Sequence, residues 1–457
     1  MLSITALHLA FLPWALGTMH PWSQLTSLGL AVAGFAVASL PRARQWSAAR
    51  LWRAPVWWAA LALLGYIVVQ GLNPAWRFQS NADSWWLEAL PHMDWLPSSV
   101  SAPFARTNPW RALTVLASLA LLVGSVWIGF TRRRSYHALF ALLAVNACLL
   151  SLFGLVQQMT GARRIFWSYV SSNDGFAASF IYPNHAGPYL YLMAALATGL
   201  AWWHDQRARN GIENPGPAAA LVACALFCSV MVIFSASRVS ILLLLVFMLA
   251  VGGRLLLRLA LRKGPVRDRP EFGPVILLFL GWIGLGLLAF QSDRVADRVV
   301  GALVDPSAAI RDRALARQAA GDMLHDCWLL GWGAGCFEYG FPKYTKPFPE
   351  VHSLANGARR SWEHAHDELL EFPIELGAVG LVPLAVVLGS ATWHLGRRRF
   401  WRNVVPFCLV VGCALVLVHA SVDFVFHSPA ILLTWGVLLA GALRWMELDQ
   451  PGGSAAA

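Results

Sequence analysis

The sequence predicts an all-α integral membrane protein of about twelve transmembrane helices, with one long outer loop that contains short helices. The first observation is composition. Of the 457 residues, 57% are hydrophobic and 13% are charged, and the mean hydropathy is +0.54. Soluble domains carry about 25% charged residues, so this chain lies far outside their range. The second observation is the recurrence of apolar runs about 20 residues long, the length needed to cross a bilayer as a helix.

Twelve such runs divide the chain. The first has no Lys or Arg before it and no good cleavage site, so it is read as a retained helix rather than a signal peptide. The predicted spans, each uncertain by a few residues, are 2–18, 24–40, 55–71, 110–130, 135–158, 182–203, 218–235, 239–258, 274–291, 369–395, 404–421 and 428–445.

Alternating these spans across the bilayer places most of the 35 Lys and Arg residues on one side. The positive-inside rule makes that side the cytoplasm, so both termini are expected there and the protein in the cytoplasmic (inner) membrane. The +11 net charge then reflects topology, and no nucleic-acid-binding signature accompanies it. The predicted regions are N-terminal helices and a first outer loop (1–109), central helices (110–291), a long periplasmic loop (292–368), and C-terminal helices with a tail (369–457).

Polar residues gather at the outer ends of the spans. The first outer loop, 72–109, is rich in Trp and is expected to lie at the membrane interface, although a sugar-stacking platform is an alternative. Asn184 and His185 open the sixth span, where His185 has either a packing or a functional role. Arg238 lies in the tight outer turn between spans seven and eight. It either reaches lipid phosphate or points a guanidinium into a phosphate-binding cavity.

The long outer loop carries a predicted amphipathic helix from 306 to 327 with Arg311, Arg313 and Arg317 near its start. The run Gly331-Trp332-Gly333-Ala334-Gly335 follows and predicts a turn, because it lacks the Lys-Ser/Thr of a phosphate-binding loop. Cys327 and Cys336 flank that run. An oxidising compartment would permit a disulfide between them, but the sequence does not establish one.

The stretch 361–380 holds the densest group of titratable residues, at the start of span ten. It contains His364 and His366, and then Glu368, Glu371 and Glu375 on one helix face. Ionisable groups at a membrane boundary are costly unless they have a function. The two histidines lack the His-Glu-x-x-His spacing of a zinc site, so no metal or other cofactor is predicted.

These residues favour one chemistry. Arginines can neutralise a pyrophosphate leaving group without a metal, and a histidine can act as general base toward an attacking hydroxyl. Transfer of a sugar from a lipid pyrophosphate fits that description. A lipid or solute transporter is the alternative of another class, but the span interiors carry almost no carboxylates and no internal repeat is visible.

Four stretches in order resemble the superfamily of O-antigen ligases and polymerases, membrane enzymes of the bacterial envelope. The last of them has the ligase spacing of a histidine followed by two glycines, met here by His366, Gly377 and Gly380. The sequence departs from the ligase pattern at two positions, so the subfamily is not assigned. Asp367 stands in place of Asn, Ser or Gln, and Trp328 stands in place of Pro. The stretches are Phe180–Gly187, Ser235–Arg238, Arg313–Gly335 and His364–Gly380, within a ligase-like core at 182–385.

The resemblance implies an inverting, metal-independent glycosyltransferase acting at the periplasmic face. Its donor would be a glycan on polyprenyl (undecaprenyl) pyrophosphate, and its acceptor a lipid or glycan. Ligation to lipid A core, glycan polymerisation and protein O-oligosaccharyl transfer share this scaffold. The family's catalytic histidine corresponds to His366, with His364 as the alternative. Its two arginines correspond to Arg238 and Arg313, with Arg311 and Arg317 as alternatives to Arg313. Asn184 and His185 are further candidate substrate-binding residues.

Overall fold

A computed structural model describes residues 1–40, 51–261 (except 83, 172, 174, 213 and 215), 278, 280–282, 284, 307–353 and 362–448. The protein is mostly helical, with one small sheet. The helices are α1 (Leu2–Trp14), α2 (Pro21–Ser39), α3 (Pro55–Leu72), α4 (Pro109–Gly129), α5 (Arg133–Met159), α6 (Pro183–Arg209), α7 (Gly216–Phe234), α8 (Arg238–Ala260), α9 (Ser307–Cys327), α10 (Phe337–Thr345), α11 (Pro349–His352), α12 (Glu368–Arg397), α13 (Val404–Ala420) and α14 (Pro429–Glu447).

Seven helices in the described part of the chain are long and apolar enough to cross a membrane: α3, α4, α5, α7, α8, α12 and α14. The apolar helices α1 and α13 are shorter, with 13 and 17 residues. Eleven of the twelve predicted spans coincide with a helix, and the ninth, 274–291, lies mostly outside the described residues. The protein is therefore an integral membrane protein, while the count of twelve spans stays a prediction.

Helix α6 lies at the centre of the bundle. Every residue from His185 to Trp202 is buried, which is what a helix apolar on all sides requires. Small residues let α13 approach closely, as is typical of helices packed inside a membrane. A Cβ added at Gly199 would lie 3.1 Å from the Cβ of Cys408, and one at Gly412 would lie 2.9 Å from the Cβ of Ala195.

The first outer loop contains a three-stranded sheet that the sequence did not predict. Strands β1 (Pro74–Ser80) and β2 (Trp85–Ala89) are antiparallel, and β3 (Ser99–Ser101) pairs with β1 in parallel. Phe78 and Val100 pack with Cys336 and Tyr339 of the long outer loop. Two tryptophans of this loop, Trp76 and Trp85, therefore lie in a packed layer, whereas Trp86 and Trp95 are exposed.

The outer layer is completed by α9, α10 and α11. Helix α9 matches the amphipathic helix predicted at 306–327, and its alanines pack against Phe337 and Phe341 of α10. Burial of its aromatic side chains sustains α10 as a helix despite Pro342. Cys327 and Cys336 are both free thiols.

Helix α12 is broken at Gly377, where the glycine-rich turn inserts. Gly377 has φ 63° and ψ 177°, a conformation essentially restricted to glycine. The open backbone pairs with the turn: Trp332 N donates to Ile374 O at 2.7 Å, and Ala378 N donates to Trp328 O at 2.7 Å. Buried Gln70 of α3 also donates to Glu375 O at 3.0 Å. Two of the motifs that carry the family resemblance are thus one interlocked structure.

Replacing Gly377 by Ala is expected to destabilise the protein by about 2–4 kcal/mol. The new Cβ would lie 2.4 Å from Leu329 O, in a backbone conformation closed to alanine. Gly389→Ala in the same helix is the matched control, because its Cβ would meet no atom within 4 Å. Thermal unfolding of both variants in detergent measures the difference, and equal midpoints would contradict the account of the break.

Candidate active site

His366 lies in a tight turn before α12, in a left-handed backbone conformation with φ 53°. That conformation costs a residue with a side chain about 1–2 kcal/mol, so neighbouring contacts must hold it. Glu371, one turn into α12, provides two of them: its carboxylate accepts from Ala365 N at 2.7 Å and pairs with His364 Nδ1 at 2.7 Å. Asp367 caps the helix by accepting from Leu369 N at 3.1 Å. The turn therefore presents the His366 ring in a fixed direction.

The His366 imidazole is paired with Asp423, which follows α13. Nδ1 of His366 lies 3.1 Å from Asp423 Oδ1, which also accepts from the backbone N of Phe424 at 3.0 Å. The other oxygen, Oδ2, accepts from Asn184 Nδ2 at 2.7 Å. A carboxylate facing Nδ1 favours the tautomer with its proton on Nδ1, and this leaves Nε2 as a proton acceptor.

Asp423 is ionised at any working pH. Burial alone would raise the pKa of this carboxyl, but the hydrogen bond from His366 and the charges of His366, His419 and His185 hold the pKa at about 2. The dyad formed by His366 and Asp423 thus has the geometry of an oriented general base. The His366 side chain is 24% exposed, so a substrate hydroxyl can reach it, whereas Asp423 is 4% exposed.

His364, the alternative base, is enclosed. Its ring stacks on Phe424 with centroids 4.5 Å apart and lies 4.0 Å from the ring of His427. Burial lowers the pKa of His364, and the charge of His427 lowers it further. Its Nδ1 is occupied by Glu371. The geometry therefore favours His366 as the group that contacts substrate, and it gives His364 a packing and hydrogen-bonding role.

His427 joins two buried carboxylates. Its Nδ1 lies 3.0 Å from Glu368 Oε1, and its Nε2 lies 3.1 Å from Glu371 Oε1. Burial lowers the pKa of His427, but the charges and hydrogen bonds of Glu371 and Glu368 have the larger effect. They raise the pKa of His427 well above its ordinary value. Among the described residues, nitrogen or oxygen atoms of His364, Glu371 and His427 lie within 4.8 Å of one another, a donor set that suits a metal ion. The separations of 2.7 and 3.1 Å are those of hydrogen bonds, which already account for these donors.

The three arginines of α9 differ in what they contact. Arg311 Nη2 lies 3.3 Å from Glu350 Oε1 at the surface. Arg317 Nε lies 2.9 Å from Asp367 Oδ2, and its Nη2 donates to Ser421 O at 3.2 Å. Arg313 is exposed and has no ion pair within the part of the chain that the structure describes. Burial raises the pKa of Tyr182, and the charge of Arg313 opposes that rise. The Tyr182 hydroxyl accepts a hydrogen bond from Asn184 at 2.9 Å.

The remaining candidates lie around the start of α6. His185 is buried, and its Nε2 donates to Phe424 O at 3.0 Å, so it positions the segment that carries Asp423. Arg238 is exposed at the first residue of α8. The hairpin around it packs against α6, because a Cβ at Gly187 would lie 2.0 Å from Ser240 Oγ. Arg238 therefore lies at the same end of α6 as Asn184.

Sequence reasoning missed the partner that defines the site. Asp423, just past the eleventh predicted span, was not assigned a role, because it lies 57 residues from His366 in the chain. Tyr182 and Glu371 were not given roles either. The available signal was shared position at the outer ends of the spans, and this signal cannot say which polar residues meet.

Comparison with known families covers the centre of the chain. Residues 220–385, just over a third of its length, match the family model described as O-antigen ligase. No curated protein matches the chain. The matched segment contains Arg238, Arg313 and His366 and ends before Asp423. It also contains the glycine turn and the break in α12, which interlock in the structure. The match supports the resemblance seen in the motifs.

Proposed function

We propose that the protein is an inverting glycosyltransferase that moves a glycan from a polyprenyl (undecaprenyl) pyrophosphate to an acceptor hydroxyl. The observation that carries the proposal is the oriented dyad of His366 and Asp423, next to helix α9, whose Arg313 is exposed and has no ion pair among the described residues. A transferase of the O-antigen ligase class needs both a base for its acceptor and positive charge for its leaving group. Substrates are accordingly a lipid-linked glycan and a lipid or glycan acceptor.

In the proposed reaction the acceptor oxygen attacks the anomeric carbon of the donor sugar from the face opposite the pyrophosphate. His366 Nε2 takes the hydroxyl proton as the new C–O bond forms. The bond between the anomeric carbon and the pyrophosphate oxygen breaks, and the electron pair leaves with polyprenyl pyrophosphate. Arg313 and Arg238 bind the leaving group, because a guanidinium matches phosphate oxygens in pairs. Asn184 and His185 hold the segment that orients the base, and no cofactor is required.

The proposed setting is the periplasmic face of the cytoplasmic membrane, with both termini in the cytoplasm. The long loop 292–368 would then cap a cavity open to the outer leaflet, between the central helices and those of 369–457. The first turns of α12, which carry the buried carboxylates Glu368, Glu371 and Glu375, support this arrangement, since Ile374 packs with residues of α9. A transporter fits less well, because these carboxylates are bonded to protein groups at one end of the bundle.

The proposal is tested by transfer from a polyprenyl-pyrophosphate glycan by purified protein in the presence of EDTA. Arg313→Ala is expected to lower the rate by about a hundredfold or more, the effect of removing one charge-stabilising donor. Arg311→Ala is the matched control on the same helix, and its change should stay within about threefold because that residue forms an exposed ion pair with Glu350. Equal losses in the two variants would contradict the assignment. Product size separates ligation from polymerisation, and loss of transfer with EDTA would indicate a metal.

A further inference from the structure

An open cavity of about 300 Å³ lies beside the glycine-rich turn, away from the dyad. The residues that line it include three tryptophans, one carboxylic acid and one serine: Trp76, Trp328, Trp332, Asp326 and Ser98. Trp328 is 59% exposed, although its carbonyl is fixed to Ala378 of α12. The reaction proposed above uses none of these side chains.

Asp326 lines this cavity, and one of its carboxylate oxygens has no hydrogen bond among the described residues. Tyr344 donates to its Oδ2 at 2.8 Å, with Lys343 Nζ at 3.6 Å from the same oxygen. The hydrogen bond from Tyr344, aided by Lys343, lowers the pKa of this carboxyl, so it stays ionised. Within the described residues, Oδ1 has only His325 Nδ1 at 3.9 Å, beyond hydrogen-bond distance.

The position of the cavity follows from α9. Arg317 of this helix contacts Asp367, next to His366, and Asp326 lies nine residues further on. At 1.5 Å per residue this places Asp326 about 14 Å along the helix from Arg317. Trp328 bonds to Ala378 of α12, close to Val379 and Val382, whose side chains are exposed. The cavity therefore lies away from His366 along α9 and next to exposed apolar residues of α12.

We infer that this cavity binds a sugar ring of a lipid-anchored chain, several sugars away from the ring that reacts. Flat indole faces suit the apolar face of a sugar, and an ionised carboxylate accepts hydrogen bonds from its hydroxyls. An acyl chain has no donor for Asp326, and an anionic headgroup is repelled by it. The inference rests on the proposed function, since it assigns the site to that enzyme's own substrate.

Binding to protein in nanodiscs tests the inference without relying on turnover. The probes are lipopolysaccharide that carries core sugars but no O-antigen, lipid A alone, and a polyprenyl-pyrophosphate glycan. Trp328→Ala and Asp326→Asn are each expected to weaken binding of a sugar-bearing lipid about tenfold, while lipid A binding stays unchanged. Trp95→Ala is the control, since this residue is 76% exposed in the same outer layer and does not line the cavity.

The two sugar-bearing probes identify the chain. A loss with the lipopolysaccharide supports the inference and assigns the site to the acceptor, and a loss with the polyprenyl glycan supports it and assigns the site to the donor. Equal weakening for lipid A alone would overturn it, because Trp328 would then be a lipid anchor. Unchanged binding of both sugar-bearing lipids would also overturn it. Failure of the proposed function is distinct, since it would show as absence of transfer by the unaltered protein.

Discussion

Replacing His366 by Ala is expected to reduce glycan transfer by about a hundredfold to ten-thousandfold, the usual contribution of a general base. The protein should remain folded. The His366 side chain is partly exposed, and the turn that carries it is held by Ala365 and His364 through Glu371. Rate constants for a single turnover, measured with labelled donor at matched protein levels, provide the comparison.

Two other histidines serve as controls. His325→Ala should leave transfer within about twofold, because its side chain is 92% exposed and lies outside the site. His364→Ala should lower the thermal midpoint, since it leaves a buried carboxylate of Glu371 without one partner. If His364→Ala abolishes turnover in folded protein while His366→Ala does not, the base has been assigned to the wrong histidine.

Replacing Asp423 by Asn is expected to slow transfer about a hundredfold to ten-thousandfold, although the side chain keeps its size. The amide loses the charge that stabilises protonated His366. Its NH₂ group would also face either Nδ1 of His366 or the donor Nδ2 of Asn184, both of which contact Asp423 oxygens. The expected loss is in the rate constant rather than in donor binding, and titration of donor concentration separates the two.

The pH dependence of stability follows from the direction in which the pKa of Asp423 is shifted. Its pKa of about 2 is below the ordinary value of 3.8, so the ionised group stabilises the folded enzyme above pH 3.8. That stabilisation is lost as the pH falls toward 2. A fall in activity between pH 5 and 7 must therefore come from another group. Asp94→Asn, at a side chain 94% exposed, is the control and should leave rate and profile unchanged.

The sequence predicted the helices well because apolar runs of bilayer length leave few alternatives. It predicted neither the sheet at 74–101 nor α10, because the sheet packs against Cys336 and Tyr339, which lie some 240–260 residues away from it in the chain. The break at Gly377 shows the same limit. Its glycine could be noted as part of a motif, but its reason is the approach of Leu329 and Gly331 from another segment.

The same holds for the site. His366 and Arg313 could be named from spacing and resemblance. Among the described residues Arg311 and Arg317 have carboxylate partners and Arg313 has none, which favours Arg313 as the phosphate-binding residue. The role of Asp423 could be assigned only from the fold. A carboxylate at the end of one helix and a histidine before another become a pair only when α12 and the end of α13 meet around Phe424.

A double-mutant cycle on His366 and Asp423 tests the central claim most directly. If Asp423 acts only by orienting His366 and stabilising its protonated form, replacing Asp423 should not slow transfer further once His366 is alanine. If the two residues act as one unit, His366→Ala/Asp423→Asn transfers glycan within about threefold of the rate of His366→Ala alone. Losses that multiply, so that the double variant is slower by the product of the two single effects, would contradict the dyad.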